Sequence, residues 1–193
     1  MTSCGPPVAE QVEVVAEDYR FTVPETVPTG PVAIRLVNEG SEPHAVQLYR
    51  LNDGVTADDF SRAMNTGIDA ERALASTVGG PANVEGGETG PLVNVVLEPG
   101  SYVVAWWLLN GSGTPHAYLG MVDTYEVTGS VQPGVTPPSV EGTFELREYE
   151  IDVPSGFNGS GTFQVVNRDG EWHELVIGRL EEVIPHRKRQ STT

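Results

Sequence analysis

The chain has 193 residues, of which 27 are acidic and 11 are basic, and its formal net charge is −16. A surface this acidic repels phosphate backbones, so nucleic acid is not expected as a partner. The 22 Gly and 15 Pro residues favour a turn-rich β protein over a helical one. No window of the sequence approaches the roughly 18 apolar residues that a membrane-spanning helix needs, so membrane contact is expected only through a lipid anchor.

Residues 1–11 are predicted to be a tether, and they contain Cys4, the only Cys of the chain. A single Cys excludes an intramolecular disulfide. The segment Met1-Thr2-Ser3-Cys4-Gly5 resembles the end of a bacterial lipoprotein signal, although neither a charged nor an apolar region precedes it. A lipidated Cys4 would require a start further upstream and would place the protein outside the cytoplasm. The alternative is a chance Cys in a disordered N-terminus.

Residues 12–129 are predicted to form one β-rich domain. The hydrophobic pattern predicts strands at residues 12–23, 32–37, 44–51, 92–97 and in both arms of 100–127. Residues 53–64 are predicted to be helical with Thr56 as the N-cap, followed by a short helix at 69–75. Residues 78–90 are interpreted as a Gly-rich loop. Strands interrupted by one short helical excursion indicate an all-β Greek-key β-sandwich.

An internal repeat follows this domain. Residues 149–154 match residues 19–24, and the stretch from Asn167 to His173 matches the stretch from Asn38 to His44, at an offset of about 130 residues. Such an offset indicates a duplicated domain rather than a short solenoid repeat.

The second copy is predicted to be incomplete. Residues 130–139 are interpreted as a Pro/Gly linker and residues 140–181 as a partial repeat. The predicted strands of that repeat are residues 144–151, 161–166 and 174–180. Residues 182–193 form a basic, aberrant tail, interpreted as a truncated or frame-shifted end rather than a nucleic-acid-binding or membrane-binding segment. No role is assigned to His186 in this tail.

Several motifs together resemble the cupredoxin family, the plastocyanin-like and azurin-like blue-copper proteins. They are the Asn38-x5-His44 spacing with Pro43 before the His, the sequence Gly100-Ser101-Tyr102 followed by Trp106, and His116 followed by Gly120-Met121. The resemblance covers about residues 12–127 and part of the second copy. It implies a copper site with His44, His116 and Met121 as ligands, and with Trp106 where the family has a Cys.

The replacement of that Cys decides which copper chemistry is expected. A blue type 1 centre needs two imidazoles, a thiolate and a long axial thioether. The indole of Trp106 has no lone pair to offer, and Cys4 is too remote to reach the pocket. One interpretation is a Cu(I) site of His44, His116 and Met121, with the π face of Trp106 covering the ion. The other is a vestigial site, with hydrogen-bonded histidines and Met121 as core filler.

Enzymatic motifs are missing from the sequence. It contains no Gly-x-Ser-x-Gly, no His-Glu-x-x-His and no phosphate-binding Gly loop ending in Lys. It also lacks the His-x-His segments of multicopper oxidases and copper nitrite reductases. The sequence therefore predicts a non-enzymatic, extracytoplasmic cupredoxin-like protein that binds a copper ion or a protein partner. The alternative is a metal-free β-sandwich serving as an interaction or structural module at the cell surface.

Overall fold

A computed structural model describes residues 9–178, except for the side chain of Ile68. The chain divides into two compact units, Met1–Pro138 and Ser139–Thr193, called unit 1 and unit 2. Cys4 and the predicted tail at 182–193 lie outside the described residues. Within the described part of the chain, none of the helices has the length and apolar character needed to span a membrane.

Unit 1 is a sandwich of two β-sheets. Its strands in chain order are β1 (Glu10–Glu17), β2 (Arg20–Thr22), β3 (Thr26–Pro28), β4 (Gly30–Asn38), β5 (Gln47–Leu51), β6 (Ala75–Gly79), β7 (Val93–Leu97), β8 (Gly100–Ala105) and β9 (Val122–Thr128). The order β2-β1-β4-β7 forms a four-stranded sheet, and β3-β9-β8-β5-β6 forms a five-stranded sheet. The chain crosses repeatedly between the two sheets. This architecture confirms the predicted Greek-key, cupredoxin-like β-sandwich.

Two short helices, α1 (Ala57–Met64) and α2 (Ile68–Arg72), connect β5 to β6. The predicted N-cap is confirmed, because the backbone N–H of Asp59 donates to Thr56 Oγ1 at 3.1 Å. The Asp59 carboxylate accepts the Thr56 backbone N–H in return at 3.0 Å, which completes a capping box. A 3₁₀ helix, His116–Leu119, lies in the connection from β8 to β9.

The core lies between the two sheets. Along β4 the side chains of Val32, Ile34 and Leu36 are buried, whereas Arg35 between them is only partly buried, as expected from strand alternation. The parallel pairing of β1 with β4 sets Val14 beside Leu36. The five-stranded sheet contributes Leu48, Tyr102, Val104, Tyr125 and Val127 to the same cluster. Burial of each large apolar side chain stabilises the fold by about 1.5–3 kcal/mol.

The strand register brings several connections to one end of unit 1. Gln47 at the start of β5 pairs with Ala105 at the end of β8, which pairs with Val122 at the start of β9. In the other sheet, Ala16 near the end of β1 pairs with Asn38 at the end of β4. The β1–β2 turn, the β4–β5 loop and the β8–β9 loop therefore leave their strands at the same end.

The structure corrects some predicted elements. The single strand predicted at residues 12–23 is wrong, because a turn divides it into β1 and β2, with Tyr19 in the left-handed region at φ 65°. The strand predicted from His44 begins only at Gln47, and His44 instead forms an isolated antiparallel bridge with Val84. Strand β6 was missed, since its first residue was assigned to a helix and its last residues to a loop.

Unit 2 repeats part of the first sheet. Its strands are β10 (Gly142–Arg147), β11 (Glu150–Asp152) and β12 (Phe163–Asn167), in the order β11-β10-β12. β10 pairs antiparallel with β11 and parallel with β12, as β1 does with β2 and β4. The predicted partial second copy is confirmed. The third strand predicted at residues 174–180 is absent from its described part, residues 174–178.

The segment after β9 belongs to unit 1 up to Pro138 and packs against its strands. Val135 is buried, and Val131 lies so close to Gly30 that a Cβ built there would come within 3.0 Å of the valine side chain. Gly30 has a φ of 104°, which disfavours any residue with a side chain.

We predict that Val104→Ala lowers the free energy of unfolding of unit 1 by about 2 kcal/mol, because it removes buried methyl groups and leaves a cavity. The matched control is Val96→Ala, whose side chain is 58% exposed where that of Val104 is 0% exposed. Both changes lose the same strand propensity, so the control should cost less than about 1 kcal/mol. Urea unfolding followed by tryptophan fluorescence measures both. Equal losses would contradict the assignment of Val104 to the core.

Candidate metal site

His44 and His116 meet at the end of unit 1 where the three connections converge. Their ring centroids are 5.3 Å apart in an edge-on arrangement. Both residues are buried, with relative exposures of 0% and 1%. The β4–β5 loop supplies His44, and the 3₁₀ helix of the β8–β9 loop supplies His116. The structure thus brings together two predicted site residues that are distant in the sequence.

A buried amide fixes the ring of His44. The side-chain Nδ2 of Asn38 donates to the carbonyl oxygens of Glu42 and Val84, each at 2.8 Å. Its Oδ1 accepts the backbone N–H of Gly40 at 2.9 Å and lies 2.9 Å from His44 Nδ1. Asn38 therefore ties the end of β4 to both neighbouring loops and to the imidazole.

The β1–β2 turn contributes a carboxylate beside His44. Asp18 accepts the backbone N–H of Ser41 at 2.9 Å and its hydroxyl at 2.7 Å, and these hydrogen bonds hold the pKa of Asp18 below its usual value. One Asp18 oxygen lies 3.9 Å from His44 Nε2, which has no hydrogen-bond partner. Burial lowers the pKa of His44, and the neighbouring His116 lowers it further, while Asp18 and Glu42 act in the opposite direction. His44 is therefore favoured in its neutral form.

His116 has an aromatic and a carboxylate neighbour. The ring of Tyr19 approaches it edge-on at a centroid distance of 5.2 Å. Its Nε2 lies 3.1 Å from a Glu42 oxygen, without the alignment of a hydrogen bond. Its Nδ1 is buried and has no hydrogen-bond partner. The Glu42 side chain is 40% exposed, so the imidazole of His116 lies one side chain below the surface.

Met121 follows the 3₁₀ helix and is buried in the core. Its backbone N–H donates to the carbonyl oxygen of His116 at 3.1 Å, and its own carbonyl oxygen accepts the N–H of Trp106 at 3.3 Å. Gly120 ends the helix with a φ of 113°, a conformation that glycine adopts without strain. Backbone contacts thus link Met121 to His116 and to Trp106.

The two adjacent tryptophans contact different neighbours, as expected for successive residues of an extended chain. Trp106 packs against the hydrophobic core, and its buried Nε1 has no hydrogen-bond partner. Trp107 donates from its Nε1 to the hydroxyl of Tyr49 at 2.8 Å and meets the ring of Tyr118 edge-on.

Sequence reasoning missed three neighbours of the histidines: Asp18, Tyr19 and Glu42. They carry no recognisable metal-binding spacing, and they reach the site only because the loops converge. For Tyr19 the sequence does contain a signal, because Tyr149 occupies the matching position in the second copy.

The donors fit a soft metal ion. The resemblance to cupredoxins implies copper, and the structure brings together two buried imidazoles, each with an unpartnered ring nitrogen, while Met121 is buried in the core and contacts His116 through its backbone. Among the described residues, no group of three or more His, Cys, Asp or Glu side chains is arranged to hold a metal ion. A metal site would therefore depend on His44, His116 and Met121. The matching histidine of unit 2 differs, because its Nε2 has a hydrogen-bond partner: Nε2 of His173 lies 2.7 Å from an Asp169 oxygen.

No family model matches the sequence, and no curated protein matches it in sequence. One similar solved structure is a dithionite-reduced auracyanin from Roseiflexus castenholzii, which is 19% identical; the match covers 64% of this chain and 100% of the auracyanin, with a TM-score of 0.41. Auracyanin B is 22% identical, and the match covers 66% of this chain and 94% of auracyanin B, with a TM-score of 0.41. Auracyanin A, a "blue" copper protein from Chloroflexus aurantiacus, is 17% identical, and the match covers 63% of this chain and 100% of auracyanin A, with a TM-score of 0.40. Similarities of this size carry no functional information, and the fold assignment rests on strand order and register.

We predict that Gly40→Ala displaces the ring of His44. A Cβ at Gly40 would lie 2.7 Å from His44 Cε1 and 2.5 Å from an Asp18 oxygen, so neighbouring groups must move. The expected loss in the free energy of unfolding is about 1–3 kcal/mol, as for other overpacked sites.

The matched control is Gly111→Ala, since a Cβ there meets nothing within 4 Å. The control should change stability by less than about 0.5 kcal/mol. Urea unfolding and the NMR shifts of the His44 ring measure both effects. Unchanged His44 shifts in the Gly40 variant would contradict the close contact.

Proposed function

We propose that unit 1 binds copper as Cu(I) through His44, His116 and Met121, without a thiolate. One observation carries the proposal: two histidines from distant loops lie side by side, buried, each with an unpartnered ring nitrogen. A buried polar atom without a partner costs about 1–3 kcal/mol. A bound ion would give both ring nitrogens a partner and remove this cost, because neutral imidazole and thioether are ligands that Cu(I) accepts.

Copper, when bound, would supply one-electron chemistry, and the protein residues would determine which ion is held. The lack of a thiolate argues against a blue type 1 centre, since Trp106 occupies the position of the Cys in the family motif. The π face of Trp106 could cover a bound cation instead. Burial of both imidazoles keeps substrates from reaching them, which supports a binding role and not catalysis.

We predict that the full chain binds one equivalent of Cu(I) in an anaerobic titration against a Cu(I) chelator. His44→Ala and His116→Ala should each weaken binding at least about tenfold, because each removes a ligand worth about 1.4 kcal/mol or more. Met121→Leu keeps the side-chain volume and should weaken binding through loss of the thioether. Copper should raise the melting temperature of the wild type, since ligand bound to the native state stabilises it.

The matched control is His173→Ala, which removes a histidine of unit 2 and should bind copper as the wild type does. If His44→Ala and His116→Ala bound copper as tightly as His173→Ala does, the site would be refuted. The oxidised, copper-loaded protein should show no intense visible band, because no thiolate coordinates the ion.

A second candidate function is a metal-free interaction module. It is favoured by the position of the Glu42 carboxylate, whose oxygen lies 3.1 Å from Nε2 of His116 and would offset a charge on that ring without a metal. The β8–β9 loop also exposes Leu108, Leu109, Tyr118 and Leu119, which would suit a protein partner. The copper titration separates the two functions, since the module would show no copper uptake and no change in melting temperature.

We also propose that the protein acts outside the cytoplasm, tethered through a lipid on Cys4. The support is the sequence Met1-Thr2-Ser3-Cys4-Gly5, which resembles a lipoprotein signal end. We predict that cells expressing the gene from its own locus incorporate labelled palmitate into the protein. Cys4→Ser should abolish incorporation, and an unlabelled wild type would contradict the anchor.

A further inference from the structure

The outer edge of strand β12 has no paired strand within the described part of unit 2. The sheet has the order β11-β10-β12, so β12 pairs with β10 on one side only. In unit 1 the matching strand β4 has a neighbour on both sides, because β7 pairs antiparallel with it along the edge away from β1. The first copy therefore shows what kind of segment this edge accepts, namely an antiparallel strand.

The backbone groups of β12 that face the open edge follow from its pairing with β10. The N–H of Arg168, directly after β12, donates to the carbonyl oxygen of Leu146 in β10 at 2.9 Å. Backbone direction alternates along a strand, so the N–H and C=O of Val165 point away from β10. Leu36, the unit 1 counterpart of Val165, likewise directs its C=O away from β1, where it accepts the N–H of Gly90 at 2.9 Å.

The side chains of β12 also suit pairing with another strand. Its sequence, Phe163-Gln164-Val165-Val166-Asn167, contains no charged residue, no Pro and no Gly. It follows the pattern of β7, Val93-Asn94-Val95-Val96-Leu97, since both begin with an apolar residue, an amide and two valines in that order. In unit 1, β7 is the strand that occupies this edge. β12 therefore has the open edge of β4 and the sequence pattern of the strand that fills it.

The opposite edge of the same sheet is protected. Strand β11, Glu150–Asp152, has only 3 residues, its first and last residues are acidic, and Pro154 follows soon after it. Short length, charge and Pro are devices by which proteins keep edge strands from pairing with other chains. β12 has none of the charge or Pro, and its central Val165 is 50% exposed. The sheet thus has one protected edge and one edge that is able to pair.

We infer that two copies of this chain associate through β12, with the two strands pairing antiparallel about a two-fold axis at Val165. This centre gives every residue of β12 a residue opposite it. Val165 lies opposite its own copy, and the two exchange N–H to C=O hydrogen bonds across the axis. The two sheets become one, in the order β11-β10-β12-β12-β10-β11.

Charge and side-chain direction favour a second copy as the partner. The net charge of −16 makes copies repel each other, but β12 itself carries no charge. Phe144 and Val165 are paired neighbours on one face of the sheet, whereas Glu145 forms its ion pairs with Arg147 and Arg168 on the other face. A two-fold axis perpendicular to the sheet keeps both apolar faces on one side. The pairing therefore makes these faces continuous and leaves the ion pairs in place.

The first test is sedimentation velocity of the full chain, with a reductant present to prevent a disulfide at Cys4. One pair of short strands makes a small interface, so we expect a monomer–dimer equilibrium between about 10 μM and about 1 mM chain. A monomer at every concentration would overturn the inference, because it would mean that nothing pairs with this edge or that the chain itself fills it.

Two lysine substitutions form a matched pair. Val165 and Ile151 lie on the open and the protected edge of one sheet and are 50% and 52% exposed. Val165→Lys sets two like charges opposite each other at the axis, so the dimer dissociation constant should rise at least about tenfold. Ile151→Lys adds the same charge away from the axis and should dimerise as the wild type does. Equal dissociation constants for the two variants would contradict pairing through β12.

A cysteine substitution locates the axis without adding charge. Residues that exchange hydrogen bonds across antiparallel strands have Cα atoms about 5.5 Å apart, a distance that a disulfide can span. In a Cys4→Ser background, Val165→Cys should therefore form a covalent dimer under mild oxidation at least about tenfold faster than Ile151→Cys does. Equal rates on a non-reducing gel would show that the two strands do not meet at Val165. None of these results depends on copper, so the proposed function is tested separately.

Discussion

The parallel pairing of β1 with β4 is the constraint on which the candidate site depends. It sets Asn38 opposite Ala16, so the turn at Asp18 and Tyr19 begins beside the loop that carries His44. The N–H of Glu39 donates to the carbonyl oxygen of Ala16 at 2.8 Å and continues this alignment beyond the strands. A slip of one residue in this register would turn the buried face of β4 outward, so the core itself fixes the position of the loops.

The sequence predicted the sandwich well because alternation and turn residues are local signals. It also predicted that His44 and His116 meet, since both stand in motifs whose spacing resembles that of a known family. The division of the first strand was not predictable from alternation, because Tyr19 interrupts β1 and β2 with a left-handed residue that the pattern does not reveal. Strand β6 was missed for a similar reason, since its pairing with β5 and not its own composition makes it a strand.

The surroundings of the histidines were beyond sequence reasoning. Glu42 stands next to the Pro-His dipeptide but approaches His116, a residue of another loop. Asp18 is held beside His44 by the hydrogen bonds that it accepts from Ser41 and from the backbone N–H of Glu42. Contacts of this kind depend on the convergence of three connections, and convergence is a property of the register. The two copies illustrate the point, since the same Asn-x5-His spacing gives His44 and His173 different partners.

The burial of the paired imidazoles affects how fast a bound ion could exchange with solvent. An ion held beside them could leave only when a group that covers the imidazoles, such as the Glu42 side chain next to His116, moved and opened a path. The rate of exchange would then follow the frequency of that opening, whereas the strength of binding would follow the ligands. Residence time and affinity would thus be set by different parts of the molecule.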